Sequence, residues 1–308
     1  MTNDTMDNGT DNRSQALSSS GAPLNLTVGD REIAPGLHLV ATPIGNLRDI
    51  SLRALDTLIS ADQVFCEDTR MTAKLLGLYG LKRPLSAYHD HNGPKIRPQI
   101  LRTLADGQSV ALVSDAGTPL VSDPGYKLVR AVVEAGHTVT ATPGASAVLA
   151  GLSLSALPSD LFTFAGFLPP KDKARRARLT ELANIPGTLI FFESGPRLGD
   201  TLATMATELG NRDAAIAREL TKRFEEVRRA PLQTLADEIA ENGHPKGEIV
   251  VVVGPPMVKE YSQKNLDDLL RAALAELRVK DAAAHVAAKT GMDRRSLYQR
   301  ALELKESP

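Results

Sequence analysis

The 308-residue sequence has no tryptophan, one cysteine, and aromatics at only 4%. A lone thiol, Cys66, cannot close an internal disulfide, and no Cys/His spacing has the form of a zinc site. A reducing compartment, most simply the cytoplasm, and a metal-free protein are therefore expected. No run approaches the roughly 18 apolar residues of a membrane span. The N-terminus lacks a basic start leading into an apolar stretch, so neither secretion nor membrane insertion is expected. Charge of one sign is not in excess either: 36 Lys and Arg face 37 Asp and Glu, for a formal net charge of -1. Any affinity for nucleic acid must then rest on local patches. With so few rings, base stacking is a poor main grip on a single strand, and backbone and shape recognition is expected if the substrate is RNA. Finally, no GxGxxG follows the first apolar strand and no GxxxxGK[ST] occurs, which disfavours a common Rossmann dehydrogenase and a nucleotide triphosphatase.

Residues 1–36 are rich in Asn, Asp, Ser, Thr and Gly and poor in large apolar residues, the composition of a disordered tail. From Leu37 the pattern alternates. Strands are expected at Leu37 to Ala41, Gln63 to Cys66, Val110 to Val113 and Thr138 to Ala141. Helices are expected through Ile50, Leu52, Leu55 and Leu58, from Tyr126 to Ala135 before Gly136, and from Ala145. Such alternation predicts a largely parallel sheet covered by helices. The pattern pauses at Ala156-Leu157-Pro158-Ser159-Asp160, giving a first domain over 37–156 and a second over 157–257. The second domain's strands are expected at Phe162 to Phe167, Thr188 to Phe192, Ala214 to Ala217, Glu225 to Arg229 and Glu248 to Val253. Pro255-Pro256 marks an exit into a helical module over 262–308.

Three Gly/Pro-rich turns each follow an apolar strand: Thr42-Pro43-Ile44-Gly45-Asn46, Ser114-Asp115-Ala116-Gly117-Thr118-Pro119, and Thr142-Pro143-Gly144-Ala145-Ser146-Ala147. A single such turn is commonly only a turn. Three at successive strand ends mark the place where open α/β sheets bind ligands, with glycine admitting close backbone approach.

Several of these segments resemble one family. Val40 to Ile50, Cys66-Glu67-Asp68-Thr69-Arg70, His89 to Asn92, Ser114 to Pro119, Ser122-Asp123-Pro124-Gly125, Thr142 to Ala147 and Gly166-Phe167-Leu168-Pro169 are similar to ribosomal RNA small-subunit methyltransferase I enzymes, within the tetrapyrrole-methylase superfamily. Further matches at Phe192-Glu193-Ser194, Ala217 to Lys222 and Lys246-Gly247-Glu248 extend the likeness over about Leu37 to Gly254. The resemblance implies two α/β domains of tetrapyrrole-methylase (class III methyltransferase) type with a cofactor cleft between them, plus the small C-terminal helical module. It implies S-adenosylmethionine as cofactor, 2'-O-methylation of a decoding-centre cytidine of 16S ribosomal RNA in the 30S subunit, and a homodimer. Carried over residue by residue, Pro43, Asp115, Ala116, Gly117, Ala145, Ser146 and Ala147 hold the cofactor, with Phe167 and Leu168 on its second-domain side. One departure stands out: Gly195-Pro196-Arg197 follows Glu193-Ser194 where the family pattern has Pro directly, which leaves the role of Arg197 open.

Methyl transfer is an in-line displacement, so positioning supplies much of the rate, and a ribose hydroxyl gains from a base or a charge-stabilising group. The candidates are Glu67, Asp68, His89, Glu193 and Lys222; equally, Glu67 and Asp68 suit helix capping and Lys222 a solvated surface. Arg70 and Arg218 are candidates for holding RNA phosphates or orienting carboxylates. Lys171-Asp172-Lys173-Ala174-Arg175-Arg176-Ala177-Arg178 carries five positive charges and one negative, either a solvated helix face or a phosphate contact through Lys171, Lys173, Arg175 and Arg176. Val279 to Tyr298 has helix-turn-helix spacing, with Asp293 as cap and Arg294 and Arg295 in the first turn of the second helix, where a recognition helix places its contacts. Small-molecule methylation on the same fold and a ribosome-assembly protein with a vestigial cofactor site are the competing readings.

Overall fold

The computed structural model describes residues 28, 29, 31–256 and 263–306. The first sheet comprises β1 (Gly36–Val40), β2 (Gln63–Cys66), β3 (Leu85–Ala87), β4 (Ser109–Val113) and β5 (Val139–Thr142), in the order β3-β2-β4-β1-β5 with every pairing parallel. Four helices cover it: α1 (Leu52–Ser60), α2 (Thr69–Leu78), α3 (Gly93–Ala105) and α4 (Tyr126–Glu134). The strand period of two decides which face each covers. Val40, Val64, Cys66, Ala111 and Val113 pack against Ala54 and Leu58 of α1 and Leu76 of α2. Leu37, Phe65, Val110 and Leu112 point the other way, onto Ile100 and Leu104 of α3 and Leu128 and Val132 of α4. Central strands buried on both faces explain why β4 reads as a continuous apolar run.

From β1 the chain moves through α1 toward the β2 side, whereas from the adjacent β4 it moves through α4 toward β5. Because α1 and α4 cover opposite faces, the loops leaving neighbouring β1 and β4 part to opposite sides of the sheet, as at the switch points where α/β sheets bind ligands. α5 (Ala147–Ser155) follows β5.

The second sheet has β6 (Phe162–Phe167), β7 (Thr188–Ser194), β8 (Asp213–Arg218), β9 (Glu226–Pro231) and β10 (Glu248–Val253) in the order β6-β7-β10-β8-β9. Its helices are α6 (Asp172–Leu182), α7 (Gly195–Leu209) and α8 (Leu232–Asn242), with α7 packed on both α6 and α8. α9 (Gln263–Leu274), α10 (Val279–Thr290) and α11 (Arg294–Glu306) close around their own core of Leu270, Ala283, Val286, Leu297 and Ala301.

The compact units are not the two contiguous stretches expected from the sequence. The first gathers residues up to Leu154 with Ala217–Val227 and Gly247–Val250; the second holds Ser155–Ile216, Arg228–Lys246 and the chain from Val251. The turn joining β8 to β9 and the start of β10 return to the first unit, a long-range effect that a linker signal at 156 does not reveal. Of the disordered tail expected over 1–36, residues 1–27 and 30 lie outside the described residues. The remainder is tied down: Gly29 N–H donates to Asp56 (3.1 Å), Arg31 N–H donates to Ser60 Oγ (2.9 Å), and Ile33 packs on the core.

Candidate active site

The three turns converge in the first unit. Thr42 N–H donates to Gly117 O (2.9 Å) and Gly117 N–H donates to Thr42 O (3.0 Å), an isolated antiparallel bridge between the loops leaving β1 and β4. The Thr42 hydroxyl donates to Ser114 O and the Ser114 hydroxyl to Gly117 O, both at 3.2 Å. The third turn joins through the Thr118 hydroxyl, which donates to Ala145 O at 3.2 Å. Gly117 has φ +83°, and a Cβ there would stand 3.3 Å from Ile44 Cγ2; one on Gly144 would stand 2.9 Å from the Ala41 Cβ. Glycine is therefore required at Gly117 by its left-handed backbone and at Gly144 by the close approach of Ala41. Pro43, Asp115, Ala116, Gly117, Ala145, Ser146 and Ala147 are thus brought together, Pro43 and Gly117 buried, Asp115 and Ala116 exposed. Leu120 and Ser122, further along the same loop, hold φ of +74° and +64°. Left-handed non-glycine residues of this kind gather at ligand sites.

Beside this bridge stands a group of carboxyls. Asp115 Oδ1 accepts the Asp68 N–H (3.2 Å). Burial pushes the Glu67 carboxyl up from its ordinary 4.5, and the negative charges of Asp123, Asp115, Asp90 and Asp68 push it further. Asp123 is also raised, by burial first and by Asp115, with the hydrogen bond from Ser114 opposing. Asp68 is different. It caps α2 by accepting Arg70 N–H (2.8 Å) and is clasped by the Arg70 guanidinium (2.7 and 3.1 Å), which holds its carboxyl at about 2. The capping reading of Asp68 is the one its geometry favours. His89 donates its backbone N–H to Asn92 Oδ1 (2.9 Å), while its Nδ1 is buried with no hydrogen-bond partner among the described residues.

The segment from the end of β8 packs on the first turn. Asn46 N–H donates to Thr221 Oγ1 (3.0 Å), and a Cβ on Gly45 would stand 2.5 Å from Lys222 Cγ. Lys222 Nζ donates to Glu219 Oε1 and Glu248 Oε2, both at 2.9 Å. Burial acts to lower its pKa, but the two carboxylates outweigh burial and raise it. Both carboxylates favour the charged form of Lys222 and tie its side chain to the loop.

In the second unit, Glu193 at the end of β7 is buried, its side chain 1% exposed. It accepts Ser194 N–H (2.8 Å) and the Thr201 hydroxyl (2.7 Å) and pairs with Arg197 (3.3 Å). Arg197 in turn donates to Leu168 O (2.7 Å), so Glu193 acts by holding Arg197, and Arg197 by holding the backbone at Leu168. Leu168 is buried and Phe167 exposed, its ring edge-on to Phe192 at 5.5 Å. The departure at Gly195 has a steric cause: a Cβ there would overlap the Pro245 carbonyl oxygen. Arg197, Thr201, Ser114 and Thr118 are site-building residues that sequence reasoning did not select; hydroxyls directly after strands are the signal that points to Ser114 and Thr118.

The chain matches the family model for Tetrapyrrole (Corrin/Porphyrin) Methylases over residues 36–236 and the RsmI C-terminal HTH domain over residues 262–305. It is 53% identical to the ribosomal RNA small subunit methyltransferase I of Mesorhizobium japonicum over 278 residues, 90% of this chain and 95% of that protein. The protein of the same description from Erythrobacter litoralis is 53% identical over 273 residues, 89% of this chain and 96% of that one. The chain belongs to the ribosomal RNA small subunit methyltransferase I family. A crystal structure of diphthine synthase shares the fold (TM-score 0.54, 16% identity, covering 71% of this chain and 89% of that one).

In this member of the methyltransferase I family the basic candidates divide into paired and exposed. Arg175 is a correction to the sequence expectation. It is buried, donating to the Thr204 hydroxyl (3.1 Å), Pro170 O (3.4 Å) and Asp172 (3.0 Å), so it holds α6 to α7 and does not face phosphate. Arg176 pairs with Asp172 and Glu208, both at 2.9 Å, and Arg218 with Glu226 (3.1 Å). Arg70 is exposed but neutralised by Asp68. Lys171 and Lys173, at the start of α6, are exposed. Arg294 and Arg295 are exposed in the first turn of α11, whose start Asp293 caps by accepting Ser296 N–H (2.8 Å).

Proposed function

We propose that this family member transfers a methyl group from S-adenosylmethionine to the 2'-hydroxyl of a decoding-centre cytidine in 16S ribosomal RNA, within the 30S subunit. The observation that carries the reading is 53% identity across 95% of a relative described as a ribosomal RNA small subunit methyltransferase I. Three features of the first unit fit the cofactor. The bridged turns offer backbone groups to an uncharged adenosine, Gly117 and Gly144 leave room for close approach, and the carboxyls of Glu67, Asp115 and Asp123 favour a cation. When bound, S-adenosylmethionine supplies an electrophilic methyl group.

The chain's own residues then have separable roles. The rigid turns fix the direction along which the acceptor oxygen approaches, so orientation supplies much of the rate. Glu67 is the proton acceptor we favour, because its raised carboxyl is a stronger base than an ordinary glutamate. Asp68, held at about 2, is too weak a base for that role. Lys222, paired with both Glu219 and Glu248, braces the loop after β8 against the first turn. Of the basic candidates, Lys171, Lys173, Arg294 and Arg295 are exposed and offer charge to RNA phosphates.

The test is methyl transfer from labelled S-adenosylmethionine to unmodified 30S subunits, with the modified nucleotide and its attachment atom mapped. Transfer to a base atom, or to no RNA at all with a tetrapyrrole methylated instead, overturns the proposal.

A further inference from the structure

We propose that Arg223 and Phe224 form a stacking platform for an unpaired base of the RNA substrate; this rests on the RNA-methylation reading. A lone exposed phenylalanine is ordinary on a protein surface. This one is distinguished by its mounting. Phe224 is 63% exposed, and the Arg223 guanidinium lies 5.6 Å from its ring centroid. The loop beneath is fixed by Lys222 N–H donating to Glu219 O (3.0 Å), Glu225 N–H to Lys222 O (3.1 Å) and Thr221 N–H to Glu225 Oε2 (2.6 Å). Glu219 and Thr221 hold φ of +49° and +64°, backbone that non-glycine residues adopt only where their surroundings impose it.

That loop is docked on the turn after β1 through Asn46 N–H to Thr221 Oγ1 (3.0 Å), and Gly45 leaves no room for a Cβ beneath Lys222. A large apolar ring is thus held out to solvent, on rigid backbone, at the edge of the proposed cofactor turns. Its sequence neighbours Arg223 and Glu225 are charged and exposed, which does not make the broad apolar patch of a protein-docking surface. Ring and guanidinium together suit a nucleotide: the ring offers its face to a base and Arg223 its charge to the adjoining phosphate. Stacking is indifferent to base identity, so the platform orders an unstacked nucleotide without reading sequence. A ribose whose 2'-oxygen must be reached in line needs such a neighbour once it leaves the RNA stack.

The chain has no tryptophan, so Phe224→Trp places the sole indole at the platform. The full chain carrying F224W is titrated with a single-stranded cytidine oligonucleotide of about ten nucleotides. Binding is read by anisotropy of the labelled RNA, and stacking by indole emission. We expect quenching that follows binding, and for Phe224→Ala a rise in KM for 30S subunits of about 5- to 100-fold with S-adenosylmethionine affinity unchanged. Binding without a change in emission, no oligonucleotide binding by the wild type, or an unchanged KM in F224A overturns the platform while methyl transfer by the wild type still stands. If the wild type transfers no methyl group to 30S, the functional reading fails, and the quenching titration decides the platform separately.

Discussion

Replacing Glu193 with Ala removes a carboxylate whose side chain is 1% exposed and takes the acceptor from Ser194 N–H and hydroxyl, the Thr201 hydroxyl and the Arg197 guanidinium. Breaking a buried ion pair from one side costs about 3–5 kcal/mol, since the surviving charge is left uncompensated. Arg197 is 31% exposed and keeps Leu168 O, so partial rehydration places the expected loss near the lower end, about 3 kcal/mol. Glu193→Gln keeps an acceptor oxygen and the side-chain shape, and should lose about half as much. If the pair acts as a unit, Glu193→Leu combined with Arg197→Met should be less destabilising than the sum of the single changes, with a coupling of at least about 1 kcal/mol. Urea unfolding with unchanged m-values is the assay. A Glu193→Ala loss below about 1 kcal/mol, or strict additivity in the double variant, refutes the view that Glu193 and Arg197 form one device holding Leu168.

Gly117→Ala forces a left-handed backbone on alanine, at about 1–2 kcal/mol, and presses a methyl toward Ile44. S-adenosylmethionine affinity measured by calorimetry should fall more than stability does, and a purely stability effect would count against the bridged turns as the cofactor site. Because Glu67 is raised above 4.5, its basic form appears only as pH rises past that higher value. Single-turnover methyl transfer should therefore climb with pH on the acid side, and Glu67→Gln should flatten that limb; an unaltered profile removes Glu67 as the base. Lys171→Ala and Lys173→Ala should each reduce the salt slope of RNA binding by roughly 0.7–0.9, whereas Arg175→Ala should lower the unfolding midpoint and leave the slope alone. The reverse pattern would mean that the buried position of Arg175 is not what it does in solution.

Most of the fold was legible because strand and helix periods differ. β2, β6 and β10 fall where apolar runs placed them, and the Asp293 cap and the two helices around Gly291 follow from local residue chemistry. β3 escaped because Leu85-Ser86-Ala87 is short, partly exposed and at a sheet edge, and α3 because Pro94 and Pro98 interrupt its pattern. Arg175 reads by its charge as a phosphate contact, although its spacing to Leu179 and Leu182 places all three on one helical stripe. Of the site, the turns were legible but their bridge was not, since Thr42 and Gly117 are distant in sequence. The same holds for Lys222: its two carboxylate partners, one of them 26 residues away, are not visible in its local sequence.

Incubating the protein with labelled S-adenosylmethionine and 30S subunits that lack the modification, then locating the methyl group, tests the proposed activity. A single methyl on the 2'-oxygen of a decoding-centre cytidine is expected. A methyl on a base atom, on another RNA region, or on no RNA despite cofactor binding contradicts it.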